Sequence, residues 1–288
     1  MTTEPMAVLL TALRVIGYAG FVLWAGPLVF WALVWPAGRR QRRLLLLSGV
    51  GAVLLMLTSV AEPAIRLAVG GQPLDEVAPP LAGAAVLFRL AILAASLFYL
   101  VDLVAGELVG SRRTVALISV VVVAATLAVQ PAVLGQPGPL LAVLGVAGHL
   151  LAAATWLGGL VALATVVRRG SEAQATTGLV TRFSPVATLG LGLLVLASGL
   201  TVMAAAWGSP ADQRGSQGLL VRLGVIAALL VVAGYAHRAT ARLAFHRLFS
   251  APHATGSARD RTVTQVIGAE VIIAVVALGA GMAVAFTA

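Results

Sequence analysis

The sequence contains no cysteine and no lysine. The absence of cysteine excludes disulfides, thiolate metal sites and CxxC metal-binding modules. The absence of lysine excludes a Walker A nucleotide site, a lysine Schiff base and a lysine general base. The chain therefore carries no sign of the engine of an ATP-driven pump, and we expect that it is not an enzyme.

Charge is also scarce. Charged residues make up 10% of the 288 residues, whereas hydrophobic residues make up 60%, and the mean hydropathy is +1.03. A soluble domain cannot bury that much apolar surface, but a lipid bilayer can. The 19 basic residues are all arginine and give a net charge of +9. Because they lie in short segments between apolar runs, we expect them to set membrane topology, with lipid and not nucleic acid as the partner.

Eight apolar runs are long enough to cross a bilayer, which takes about 20 residues per helix. The first run does not resemble a cleaved signal peptide, because it is too long and follows Glu4 instead of a basic segment. The sequence therefore predicts an all-α, polytopic membrane protein with about eight transmembrane helices. The predicted spans are 7–35, 44–62, 82–103, 114–134, 139–167, 183–207, 218–237 and 263–287.

The arginines between these spans are distributed unevenly. Fourteen lie in the odd-numbered loops, and only Arg66 and Arg214 lie in the even-numbered loops. Loops rich in arginine stay in the cytoplasm. We therefore predict a multi-pass protein of the bacterial inner membrane, with both termini outside.

The two halves of the chain resemble each other. A five-residue pattern of helix one recurs 128 residues later in helix five, and the residues around Arg89 in helix three recur around Arg222 in helix seven. This predicts a parallel 4+4 internal repeat, with a pseudo-two-fold axis along the membrane normal and any site at the interface between the halves. The two predicted repeats are 1–135 and 136–288.

His149 lies about ten residues into predicted helix five, which places it ~15 Å deep and near the middle of a ~30 Å apolar core. A titratable ring at that depth needs a partner and is a candidate functional group. The alternative is a histidine that hydrogen-bonds a neighbouring helix for packing. Trp156 lies two turns further along the same face. In the first half, Phe21 takes the place of His149, so the second half is the better candidate for chemistry.

Four methionines besides Met1 fall on the predicted outer side of the membrane. Thioether and imidazole ligands suit Cu(I), so these methionines predict an outer mouth that receives copper. The alternative is that methionine fills gaps in membrane cores. The four residues are Met6, Met56, Met203 and Met282.

Three arginines fall within the outer ends of predicted helices, namely Arg14, Arg89 and Arg222. They either snorkel to the outer interface or line an outward vestibule that binds anions.

On the cytoplasmic side, Glu270 lies about two turns into helix eight, and an intramembrane carboxylate needs a cation or a proton. Arg182 is a candidate partner, which would make a structural clamp. The alternative is a metal or proton relay that includes His237.

From His149 onward, the chain resembles the copper resistance D family of bacterial membrane proteins. The segments that carry the resemblance are HLLAAATWLGGLVAL at 149–163, RFSPVATLGLGLLVLASGL at 182–200, LLVRLGVIAALLVVAGYAHR at 219–238 and QVIGAEVIIAVVALGAG at 265–281. The resemblance implies copper uptake across the inner membrane, or copper resistance together with a periplasmic copper chaperone. The matching positions are His149, Trp156, Gly158, Gly159, Arg182, Phe183, Ser184 and Glu270. The chain departs from the family pattern at Arg222 and His237, where lysine and asparagine are expected.

The sequence thus favours transport of copper ion, or resistance to it, past a methionine-containing mouth and His149. The alternative is a membrane assembly or scaffold protein that delivers copper to a respiratory oxidase. A b-type haem protein is disfavoured, because haem usually needs two facing histidines and only His149 lies deep in a predicted helix.

Overall fold

A computed structural model describes residues 3–35, 42–68, 79–103, 110–135, 138–167 and 173–206, and these residues are helical between short connections. One π-helical turn, Ala154–Gly158, joins two of the helices end to end. The helices are α1 (Thr3–Leu33), α2 (Arg42–Ala68), α3 (Pro80–Leu103), α4 (Ser111–Ala128), α5 (Pro131–Leu134), α6 (Pro139–Ala153), α7 (Gly159–Val167) and α8 (Ala173–Ala206).

Six segments of the described chain are long and apolar enough to cross a membrane. They are Met6–Leu33, Arg42–Ala68, Pro80–Phe98, Ser111–Ala128, Pro139–Val166 and Thr181–Ala204. The prediction of an all-α, multi-pass membrane protein is confirmed to that extent. The predicted spans 218–237 and 263–287 lie outside the described residues.

The outer surface of the described helices is apolar. Phe98 is 80% exposed, and Leu46, Leu140 and Leu189 are also mostly exposed. Apolar side chains scattered around the whole bundle would aggregate in water, but they suit a surface that contacts lipid acyl chains.

Two helix boundaries differ from the sequence prediction. Helix α2 continues to Ala68, past the predicted end at residue 62, because Pro63 is accommodated inside it. Helix α8 begins at Ala173, ten residues before the predicted start, so Arg182 lies within the helix and not at its entry. Both runs were predicted too short because the apolar pattern stops before the helical backbone does.

Helix α1 lies at the centre of the described bundle. It contacts α2, α4, α6, α7 and the π-helical turn, and its large side chains Phe21, Trp24 and Phe30 are fully buried. The indole Nε1 of Trp24 donates a hydrogen bond to Ser96 Oγ of α3 at 3.1 Å. The central position of α1 follows from its small residues, since a Cβ added at Gly26 would overlap the backbone of Gly158 in the π-helical turn.

Candidate functional site

His149 lies at the interface between α6 and α8. Its Nδ1 lies 2.9 Å from the carbonyl oxygen of Gly145, one turn earlier on α6. Its Nε2 lies 3.2 Å from Ser198 Oγ on α8. The ring therefore bridges the two helices at a position about ten residues, or ~15 Å, into its span.

The partner of each nitrogen fixes the tautomer of the ring. A carbonyl oxygen can only accept a hydrogen bond, so Nδ1 carries the hydrogen and donates it to Gly145. In the neutral imidazole, Nε2 then holds the lone pair. Ser198 Oγ also lies 2.8 Å from the carbonyl oxygen of Leu194. Its one hydrogen can go either to Leu194 or to His149 Nε2, so a small rotation of this hydroxyl frees the lone pair of the ring.

Trp156 lies on the same helix interface. It is 2% exposed, and Gly190 of α8 lies against its backbone and Cβ. Gly190 and Ser198 are eight residues apart on α8, so Trp156 and His149 lie ~12 Å apart along that interface. The predicted shared face is confirmed in this sense. Among the described residues, the indole Nε1 of Trp156 has no hydrogen-bond partner.

The π-helical turn falls within the segment that carries the family resemblance. It inserts an extra residue into a helical turn and places Gly158 against Gly26 of α1 and Gly159 against Phe183 of α8. Turns of this kind are rare and are often found at functional sites. In this chain, the two glycines let three helices meet within one turn of Trp156.

The three described methionines lie on three different helices. Gly17 of α1 lies opposite Thr58 of α2, and this register puts Met6 and Met56 about 13 residues apart along the bundle, or ~20 Å. Met56 packs against the core, whereas Met203 on α8 is 50% exposed. In the described chain, no three histidine, cysteine, aspartate or glutamate side chains form a group that could hold a metal ion.

The remaining predicted site residues are mostly beyond the described chain. Met282, Arg222, Glu270 and His237 lie outside the described residues. Arg182 is described, and its side chain is exposed on α8. The proposed clamp of Arg182 with Glu270 and the alternative relay through His237 therefore stay predictions.

A cavity of about 380 Å³ lies among α1, α2, α3 and the end of α4. It is found at the end of the bundle where α1 begins and α2 ends. Its polar lining consists of Arg14, Tyr18, Thr58, Ser59, Glu62, Arg66, Arg89 and Gln130.

One carboxylate of this cavity pairs with two guanidinium groups. Arg14 Nη2 lies 2.9 Å from Glu62 Oε1, and Arg66 Nη2 lies 3.1 Å from the same oxygen. Gln130 Nε2 donates a hydrogen bond to Tyr18 Oη at 3.1 Å, which closes the cavity wall at the end of α4. The predicted vestibule thus contains Arg14 and Arg89.

Sequence reasoning did not identify Ser198, Glu62, Tyr18 or Gln130 as site residues. The pair Glu62 and Arg66 has the i,i+4 spacing of a helical ion pair, which would have been visible had α2 been extended to residue 68. Ser198 has no comparable pattern, because its role depends on how α6 and α8 are aligned.

Comparison with protein-family models, with curated proteins and with solved structures finds no match to this chain.

Proposed function

We propose that this membrane protein handles copper and that His149 Nε2 is a ligand on the copper path. The observation that carries this proposal is the hydrogen bond between His149 Nδ1 and the carbonyl of Gly145. A histidine that binds metal through one nitrogen commonly donates the other N–H to a backbone carbonyl, which fixes the ring and its tautomer. Ser198, at 3.2 Å, then occupies the place of an incoming ligand.

The proposed direction of approach follows from the charge distribution of the loops. The cavity end of the bundle is the proposed outer side, because the opposite end carries the arginine-rich loops. Copper would be received there from a periplasmic copper chaperone, at a mouth that includes Met6, Met56, Met203 and Met282, in a bacterial inner membrane. Thioether ligands at the mouth and an imidazole beyond it form a path suited to a soft cation.

The proposed internal repeat is supported by two matching helix contacts. Gly17 of α1 lies against Thr58 of α2, and Gly145 of α6 lies against Thr201 of α8. The glycines are 128 residues apart and the threonines 143. The next contact of each pair keeps the same two spacings: Gly20 against Leu54, and Gly148 against Ala197.

The same two spacings show where the halves differ. His149 corresponds to Phe21, and Ser198 corresponds to Leu55. Phe21 and Leu55 are both fully buried and apolar. A polar pair in place of an apolar one is expensive inside a membrane unless it has a use. This difference supports a functional role for the second half of the chain.

A His149→Gln variant should lower the copper content of cells that depend on this protein for uptake, to the level of cells that lack it. Glutamine can retain the hydrogen bond to Ser198 while removing the imidazole, so helix packing is largely preserved. The matched control is Ser198→Ala, which removes the same interhelical hydrogen bond but leaves the ring nitrogen. Copper accumulation, measured on cells with equal amounts of each variant in the membrane, should stay near wild type in this control.

Equal losses in His149→Gln and Ser198→Ala would contradict the proposal, because they would assign the ring to packing. If total copper is unchanged but respiratory oxidase activity falls in His149→Gln, the alternative applies: a scaffold that delivers copper to the oxidase.

A further inference from the structure

The cavity among α1, α2, α3 and α4 holds more positive than negative charge. Arg14, Arg66 and Arg89 line it, whereas Glu62 is the only acidic residue among its described lining residues. Because Arg14 and Arg66 share one carboxylate oxygen of Glu62, two positive charges are left uncompensated there. Charge in excess inside a membrane segment requires a partner.

Arg89 makes this requirement sharper. Its side chain lies nine residues into its span, it is 7% exposed, and its Nε has no hydrogen-bond partner among the described residues. A buried cation without a partner is strongly unfavourable, because the guanidinium has lost water and gained nothing in exchange. Arg14 and Arg66 are less exposed to this problem, since both contact Glu62.

The shape and chemistry of the cavity suit an oxoanion. A guanidinium presents a planar fork of N–H donors that matches phosphate oxygens, and several such forks around one cavity hold a doubly charged group well. A volume of about 380 Å³ accommodates a phosphate group with water or with part of a larger molecule. Leu87 lines the same cavity and is 70% exposed, so the cavity reaches the lipid-facing surface of α3.

We propose that this cavity is an anion-binding site in which Arg89, with Arg14 and Arg66, binds a phosphate group. The group is either the headgroup phosphate of an anionic lipid or free phosphate. The site is separate from His149, which lies between α6 and α8, and it does not depend on copper.

The test uses the full-length protein in nanodiscs and two probes. In phosphatidylcholine nanodiscs, inorganic phosphate should raise the thermal transition of the wild type in a saturable way, as a ligand that binds only the folded state does. In the second arm, phosphatidylglycerol is titrated into the nanodiscs, and lipid bound to the protein is counted by mass spectrometry after exchange into detergent. A response in the first arm identifies free phosphate, and a response in the second identifies the lipid.

The variants separate the site from general charge effects. Arg89→Met should abolish the response, and Arg89→Lys should weaken it about tenfold, because lysine keeps the charge and loses the fork. Arg112→Met, an exposed arginine at the other end of α4, should respond as the wild type does. Without phosphate or anionic lipid, Arg89→Met should be at least as stable as the wild type, because a buried unpaired charge has been removed.

The proposal is overturned if the wild type responds saturably to neither probe. It is also overturned if Arg89→Met responds as the wild type does, or if Arg89→Met and Arg112→Met lose the response equally. If Arg89→Met fails to fold, the comparison of Arg89→Lys with Arg112→Met decides, and equal affinity in those two variants counts against the site.

Discussion

Alanine at Gly51 should destabilise the protein by about 3 kcal/mol, because the new methyl group has no room between α1 and α2. A Cβ at this position would lie 2.6 Å from the carbonyl oxygen of Gly20 and would overlap the backbone nitrogen of Trp24. Backbone atoms cannot rotate away as a flexible side chain can. The two helices must therefore separate, which loosens the contact that holds α1 at the centre of the bundle.

Gly49 supplies the matched control on the same helix. A Cβ at Gly49 meets nothing within 4 Å. Alanine there should be neutral or should stabilise the helix by up to about 1 kcal/mol, since alanine is the better helix former. Thermal unfolding of both variants in the same detergent measures the difference. Equal transition temperatures for Gly51→Ala and Gly49→Ala would show that α1 and α2 do not meet at Gly51.

Glutamine at Glu62 should have the second large effect, a loss of about 2 kcal/mol in phosphate-free buffer. The substitution removes the carboxylate that Arg14 and Arg66 share, and it leaves three arginines lining one cavity. The Glu62 side chain is 25% exposed, so the loss is smaller than for a fully buried pair.

A double variant tests the cause of that loss. If repulsion among unpaired arginines destabilises Glu62→Gln, then adding Arg14→Gln should recover part of the stability. Thermal unfolding of the wild type, the two single variants and the double variant gives the coupling energy. Simple additivity of the two substitutions would mean that the ion pair at 2.9 Å contributes nothing in solution.

The membrane architecture was predictable from the sequence because hydropathy needs no tertiary information. Each of the six membrane-spanning segments of the described chain overlaps a predicted one. Apolar length decides whether a segment crosses a bilayer, since the backbone must satisfy its own hydrogen bonds there. The ends of α2 and α8 were missed, because helix continues into more polar sequence that hydropathy alone excludes.

The sites were predictable only in part. His149 and Trp156 were singled out by their depth and spacing, and both lie where α6 meets α8. Ser198 was missed because its contact depends on the register of two helices 49 residues apart in sequence. The cavity was foreseen only as a vestibule of arginines. That Glu62 neutralises two of them while Arg89 stays unpaired within the described chain requires the packing of α1 against α2 and α3.

The most direct test of the copper proposal is the metal content of the purified protein. The wild type, His149→Gln and Ser198→Ala are loaded with copper under reducing and under oxidising conditions, separated from free metal and measured by elemental analysis. The proposal predicts stoichiometric copper in the wild type and in Ser198→Ala under at least one condition, and a clear loss in His149→Gln with its fold intact. Equal copper in the wild type and His149→Gln, or no retained copper in the wild type, would contradict it.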